Sequence, residues 1–181
     1  MEIKKTSLKD AYLLTPKVFQ DERGFFTETF SQKKLQIAGI EADWVQDNHS
    51  MSTKKGVLRG LHYQLAPNTQ AKLVRVTKGS VYDVIVDLRK DSETFGKWEG
   101  FTLTAENFQM LFVPRGFAHG FCTLEDNTEF QYKCDNYYAP ESEGAIIWND
   151  PTLNINWPIS EPVLSEKDAK AQLFSEFNSQ F

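Results

Sequence analysis

The sequence predicts an all-β protein, an antiparallel barrel or jelly roll with small helices at its margins. Short apolar runs recur between turn signals along the 181 residues, the pattern left by strands of a sandwich or barrel. The stretch from Lys72 to Leu88 shows it most clearly, and helical signal is confined to two short places. No repeat, low-complexity stretch or linker divides the sequence, so residues 1–181 are expected to form one domain.

Along the chain, the first expected strand is Gly24–Phe30, after which Ser31 can cap a helix through about Ile37. Arg59–Gln64 is strand-like sequence around His62. Leu73, Val74 and Val76 lead to a Lys78-Gly79 turn, and Val81–Leu88 continues as a second strand. One face of that strand carries Tyr82, Val84, Val86 and Leu88, the other Val81, Asp83, Ile85 and Asp87. Asp83 and Asp87 suit either solvent or a polar cavity, so the alternation does not decide which face is core. Further strands are expected at Gly100–Thr104, Gln109–Val113, Gly120–Leu124, Glu129–Tyr138 and Gly144–Trp148. Ser165 can cap a C-terminal helix beginning Glu166-Lys167-Asp168.

Composition narrows the function. Hydrophobic residues make up 40% and aromatics 13%, with 14 Phe, which favours a packed interior over disorder. A net charge of −5 argues against a general nucleic-acid binder. Met1–Thr6 lacks the apolar core of a signal peptide and no apolar run approaches a membrane span, so a cytoplasmic protein with no membrane partner is expected. Without secretion, the sequon Asn48-His49-Ser50 carries no weight. Cys122 and Cys134 are too few for a disulfide framework and lack metal spacing; they read as reduced, buried thiols.

The chemistry centres on Arg59-Gly60-Leu61-His62-Tyr63-Gln64 and on Lys72. An imidazole flanked by fixed cations suits proton abstraction beside a carbonyl, with an anionic substrate held nearby. Metal binding is the rival. Gly56 to His62, and later Pro114-Arg115-Gly116-Phe117-Ala118-His119, resemble the two halves of the cupin signature, whose jelly roll often carries a metal. The ligands fail to match. Gln64 stands where a second histidine is needed, and Lys72 where the carboxylate falls. A protonated lysine offers no lone pair and repels a cation, so no metal is expected.

Carbanion chemistry makes sense of the same residues. Removing a proton alpha to a ketone forms an enolate, and a buried Lys72 supplies the cation its oxygen needs. His62 is the candidate base, with Asp168 or Asp83 as its orienting acceptor. An epimerase also needs a group that returns the proton from the opposite face, and Tyr132, beside Lys133, is the candidate acid. Asp168 has a second reading, because Ser165-Glu166-Lys167-Asp168 is also a capping arrangement.

Several blocks then fall in one order. They are Phe19…Asp21-Glu22-Arg23-Gly24-Phe25-Phe26, Gln46-Asp47-Asn48-His49-Ser50, Gly56 to Gln64, and Pro114 to Phe121. Tyr132-Lys133…Asn136-Tyr137-Tyr138, Trp148-Asn149-Asp150-Pro151 and Leu164-Ser165-Glu166-Lys167-Asp168 complete the set. Together they resemble the dTDP-4-dehydrorhamnose 3,5-epimerase family from about residue 15 to residue 170.

The resemblance implies a cupin-type jelly roll that epimerises a dTDP-linked 4-keto-6-deoxy sugar without NAD, flavin or metal. It assigns His62 as base, Asp168 as its dyad partner, Tyr132 as proton donor, and Lys72 to the sugar keto oxygen. Arg23, Glu28, Gln46, Asp47, Asn48, Arg59, His119, Glu143 and Lys167 fall on nucleotide-sugar contact positions, and Tyr138 on an aromatic position near the nucleotide or sugar. It also implies a homodimer with exchanged N-terminal strands, in which Arg23 and Glu28 serve the neighbouring subunit. Alternatives on this scaffold are a C3-only epimerase, a 3,4-ketoisomerase, and a non-catalytic nucleotide-sugar-binding cupin. The missing glycine-rich dinucleotide fingerprint agrees with cofactor-independent chemistry.

Overall fold

The computed structural model describes residues 1–181. Two short strands, β1 (Glu2–Lys5) and β2 (Tyr12–Thr15), precede a hairpin of β3 (Val18–Asp21) and β4 (Gly24–Thr27). Helix α1 (Gln32–Ile37) leads to β5 (Gln46–Ser52), β6 (Leu58–Gln64), β7 (Lys72–Lys78) and β8 (Ser80–Asp87). Strands β9 (Trp98–Thr104), β10 (Met110–Val113), β11 (Phe117–Thr123), β12 (Thr128–Cys134) and β13 (Glu143–Ala145) follow, then the one-turn helix α2 (Glu166–Ala169). Six strands form one antiparallel sheet in the order β1-β2-β10-β7-β12-β5, and five form the other, β13-β6-β11-β8-β9. This is the jelly roll that the sequence predicts.

The two successive strands expected here form as β7 and β8, with Gly79 at φ +73 making the turn, but they do not pair with each other: the chain crosses at this turn from the six-stranded to the five-stranded sheet. Both faces of β8 are buried, which is why its alternation did not reveal the core. Val81 and Ile85 face the inter-sheet core with Val74, Val76, Leu103, Leu111, Phe117, Phe121 and Phe130. Val84, Val86 and Leu88 pack outward with Leu61, Tyr63 and Ile146 under a coat from the C-terminal segment, including Trp157, Phe174, Phe177 and Phe181. Fully burying a side chain such as Ile85 or Val84 contributes roughly 1.5–3 kcal/mol, so both faces stabilise the barrel. A third cluster covers the outer face of the six-stranded sheet, where Leu35 of α1 and Ile40 meet Leu14, Leu73, Met110 and Phe112.

Several boundaries differ from expectation. The strand expected to reach Phe30 stops at Thr27 and pairs only within its hairpin. The run expected to reach Tyr138 ends at Cys134, because the Asp135 carboxylate accepts the Ala71 N–H at 2.6 Å and turns the chain out of the ladder. Gly144–Trp148 contributes only the short β13. Ser31 precedes α1 without a side-chain cap. The C-terminal helix is a single turn, since Gln172 soon enters a parallel bridge with Ile146. Strands β1, β2, β3 and β5 lie outside the runs read as strands from the sequence.

Gly60 governs the approach of β6 to β11. At φ +117, a Cβ there would lie 2.6 Å from both the Gly120 Cα and the His119 carbonyl oxygen. The pairing shifts register just beyond His119, and His119 and His62 stand opposite each other.

Candidate active site

Strand alternation puts one set of polar side chains inside the barrel mouth. His62 on β6, Lys72 on β7, His119 on β11, Tyr132 on β12 and Asn48 on β5 line a single cavity of about 520 Å³. Arg59, Ser50, Phe121, Phe130, Leu164, Ser165, Lys167 and Asp168 complete much of its wall. A neighbouring depression of about 420 Å³ shares Asn48, His62, Lys72 and Tyr132, and adds Gln46, Gln64, Tyr138 and Glu143.

The His62 Nε2 donates to Asp168 Oδ1 at 2.5 Å, across a separation of 106 residues. With that nitrogen carrying the hydrogen, the Nδ1 lone pair is left free to accept a proton. Asp168 is itself fixed. Its Oδ2 accepts from the Ser165 hydroxyl at 2.9 Å, and its backbone N–H donates to the Ser165 oxygen at 3.1 Å. Capping and orientation are therefore one arrangement. Burial opposes ionisation of Asp168, but the hydrogen bonds from His62 and Ser165 outweigh it and hold the carboxyl below its ordinary range.

Asp83 does not partner His62. It is fully buried, and both its oxygens accept from His119 Nε2, at 3.0 and 2.9 Å. Burial pushes Asp83 up, opposed in part by His119 and Lys72. The mouth thus holds two imidazole–carboxylate pairs, on facing positions of β6 and β11.

Lys72 and Tyr132 make no side-chain hydrogen bond within the protein. Burial pushes the Lys72 ammonium below the usual lysine range, and the charges of Asp83 and Glu143 restore only part of the shift. Burial likewise pushes the Tyr132 phenol up, so it keeps its proton. No group of three or more His, Cys, Asp or Glu side chains is placed to hold a metal ion.

The remaining expected contacts divide. Glu143 forms an ion pair with Lys167 and accepts from the Tyr138 hydroxyl at 2.8 Å. Those two bonds outweigh the burial that opposes its ionisation, so its carboxyl is lowered. The Gln46 side-chain Oε1 accepts the Tyr138 N–H at 3.0 Å, tying that loop to β5. Arg59 has only a long contact, 3.5 Å, to Ser52. Asp47 is not brought to this cavity, because alternation along β5 turns its side chain to the other face, where it pairs with Lys133 at 2.8 Å. Arg23 and Glu28 also stand apart, Arg23 paired with Asp21 on the β3–β4 hairpin and Glu28 with Lys34.

Asp83 as the partner of His119, Ser50 in the cavity wall and the Ser165 hydroxyl on the dyad carboxylate were not assigned these places from the sequence. Parity was the available signal, since Ser50 shares its face of β5 with Asn48, and Asp83 its face of β8 with Ile85.

The family described as dTDP-4-dehydrorhamnose 3,5-epimerase matches residues 5–176. The chain is 55% identical over 175 residues to the dTDP-4-dehydrorhamnose 3,5-epimerase of Shigella flexneri, covering 96% of each protein. It superposes with a TM-score of 0.93, at 49% identity, on the Bacillus anthracis dTDP-4-dehydrorhamnose 3,5-epimerase with TDP and PPi bound, covering 95% of this chain and 98% of that one. A Legionella pneumophila dTDP-6-deoxy-D-glucose-3,5-epimerase in complex with dTDP-4-keto-L-rhamnose gives the same TM-score, 0.93, and 49% identity, over 98% and 94% of the two chains.

Proposed function

Because this chain belongs to the dTDP-4-dehydrorhamnose 3,5-epimerase family, we propose that His62, Asp168, Lys72 and Tyr132 carry out a cofactor-independent double epimerisation. The chain is an isomerase, and its reaction converts dTDP-4-dehydro-6-deoxy-D-glucose to dTDP-4-dehydro-L-rhamnose in deoxysugar biosynthesis. One observation carries the residue assignment. A base oriented at 2.5 Å by a buried carboxylate, an unpaired ammonium and an unpaired phenol all face one cavity.

Arg59 and Lys167 hold the diphosphate, supplying binding energy remote from the reacting carbons. The His62 Nδ1 takes the proton from C3 or C5, and the released electron pair moves onto the C4 oxygen as an enolate. Lys72 stabilises that oxygen. Tyr132 returns a proton to the opposite face of the carbon, and solvent then reprotonates the phenolate and accepts the proton from the imidazolium. Repetition at the second carbon completes the reaction. The substrate's own ketone is the electron sink, so these steps call on no metal, NAD or flavin.

The enzyme works in the cytoplasm as a homodimer of single-domain subunits. The β3–β4 hairpin supports this reading, because it leaves Phe19, Phe25 and Phe26 more than half exposed. Exchange of this segment across the interface delivers Arg23 and Glu28 to the neighbouring site.

Chelator-treated protein incubated with the dTDP-linked 4-keto sugar in deuterium oxide tests the reaction by mass spectrometry. Deuterium at two sugar carbons is the expected result. Deuterium at one carbon reduces the assignment to a mono-epimerase, and none, with substrate still bound, overturns it.

A further inference from the structure

Asp168 is delivered by a segment with little structure of its own. A single helical turn such as α2 is not self-supporting in water, so its position is set by what pins the chain on either side. Upstream, Val163 bridges to Val57, with Val163 N–H to the Gly56 oxygen at 2.8 Å and Leu58 N–H to the Val163 oxygen at 3.0 Å. Downstream, Gln172 bridges to Ile146, and its oxygen accepts the Ile147 N–H at 2.9 Å.

The downstream end carries two side-chain ties besides. The Gln172 side-chain amide donates to the Tyr63 hydroxyl at 2.7 Å. Tyr63 is the residue next to His62 on β6, and its ring packs against Phe177 and Phe181. The second tie is Asp150, from the Trp148–Pro151 block that the reaction leaves without a role. Its Oδ1 accepts from Thr152 and Leu153 N–H at 2.9 Å each, and its Oδ2 accepts from Phe174 N–H at 2.7 Å. The segment bearing Asp168 is thereby referenced to the strand that bears His62, at both ends of that strand.

We propose that the Gln172–Tyr63 and Asp150–Phe174 hydrogen bonds form a clamp that sets Asp168 against His62, making Gln172, Tyr63 and Asp150 positioning residues for the dyad. The inference rests on the dyad assignment above. Its physical basis is that catalysis is steep in geometry, where a misplacement of about 1 Å costs on the order of 10²-fold.

The test is a set of double-mutant cycles on the full-length enzyme. Q172A and Y63F break the same bond from opposite ends, and D150N turns an amide N–H₂ toward the Phe174 N–H while keeping an oxygen for the turn. Each is expected to lower kcat by about ten-fold, a partial form of outright misplacement, with KM within about two-fold of the parent. In a D168A background, which leaves no side chain there to hold His62, the same changes are expected to cost less than about two-fold. Equal losses with and without Asp168, or losses confined to KM, overturn the clamp. Should Q172A fail to fold, Y63F decides, since removing one hydroxyl leaves the ring packing in place. Failure of the dyad reading is separate and shows as D168N alone retaining full kcat.

Discussion

Replacing Asp168 by Asn removes the charge of the dyad while keeping its shape. The carbonyl oxygen of the new side-chain amide still accepts from His62 Nε2, so the resting imidazole keeps its hydrogen bond. What disappears is the attraction between the carboxylate and the imidazolium formed when His62 takes the sugar proton. At 2.5 Å and an effective dielectric of about 20, that attraction is at most about 7 kcal/mol. Asp168 is 5% exposed but the imidazole is 29% exposed, so solvent screening reduces the figure to roughly 3 kcal/mol. The expected loss in kcat is on the order of 10²-fold, with KM little changed. Initial rates of deuterium incorporation from solvent, followed by mass spectrometry, measure it directly. A D168N enzyme retaining more than a third of the parent rate would refute the charge argument.

Other perturbations separate chemistry from stability. K72M is expected to lose about 10²–10³-fold in kcat, as for removal of an oxyanion donor, yet to melt at a higher temperature because a buried charge is gone. Since the folded-state pKa of Lys72 lies below its unfolded value, the unfolded chain binds more protons between the two, and wild-type stability gains from this group as pH rises through that window. Urea titrations at a series of pH values across that window should show that gain in wild type and not in K72M; over the same window kcat falls as the ammonium is lost. Y132F is expected to cut completed inversion about 10²–10⁴-fold while deuterium still enters on the His62 face, and proportional loss of both would contradict its role as acid. D87N tests a carboxylate outside the site. Burial opposes the ionisation of Asp87, but hydrogen bonds from Arg89, Ser92 and Thr94 lower its carboxyl. Its contribution is present above the unfolded carboxylate value and lost as pH falls through the folded one. D87N should therefore destabilise by about 2 kcal/mol near neutrality through its weakened charged hydrogen bonds, read as a shift in the urea midpoint, and flatten the acid limb of the stability curve.

The sequence made strands β7 and β8 legible because their apolar content is strong and the turn between them carries a glycine, but not that this turn carries the chain from one sheet to the other. Strand β5 escaped notice for the opposite reason. Gln46, Asn48 and Ser50 face a polar cavity, so the strand shows no apolar face along most of its length. His62, Lys72 and Tyr132 could be singled out because each lies where a cupin-like pattern is altered or where an acid is expected, and the structure brings all three to one cavity. The partner of His119 was not. Asp83 meets it through the ladder of β11 with β8, a pairing that periodicity alone does not specify. Asp168 was named both as a cap and as the partner of His62, and the folded chain satisfies both readings at once. Arg23, Glu28 and Asp47 matched contact positions by motif, whereas their side chains here lie away from the cavity of their own chain.

The double burial of β8 has a consequence for how this barrel divides its labour. Val84, Val86 and Leu88 anchor the strand from outside, beneath a C-terminal coat of aromatics, while Asp83 on the inner face sits among charged groups beside Lys72. The scaffold therefore does not depend on an oily lumen at its mouth. Polar residues there can be exchanged with little loss of the framework, because much of the apolar adhesion lies behind the wall. A barrel built this way can change the substrate it accepts while the wall that supports it stays the same.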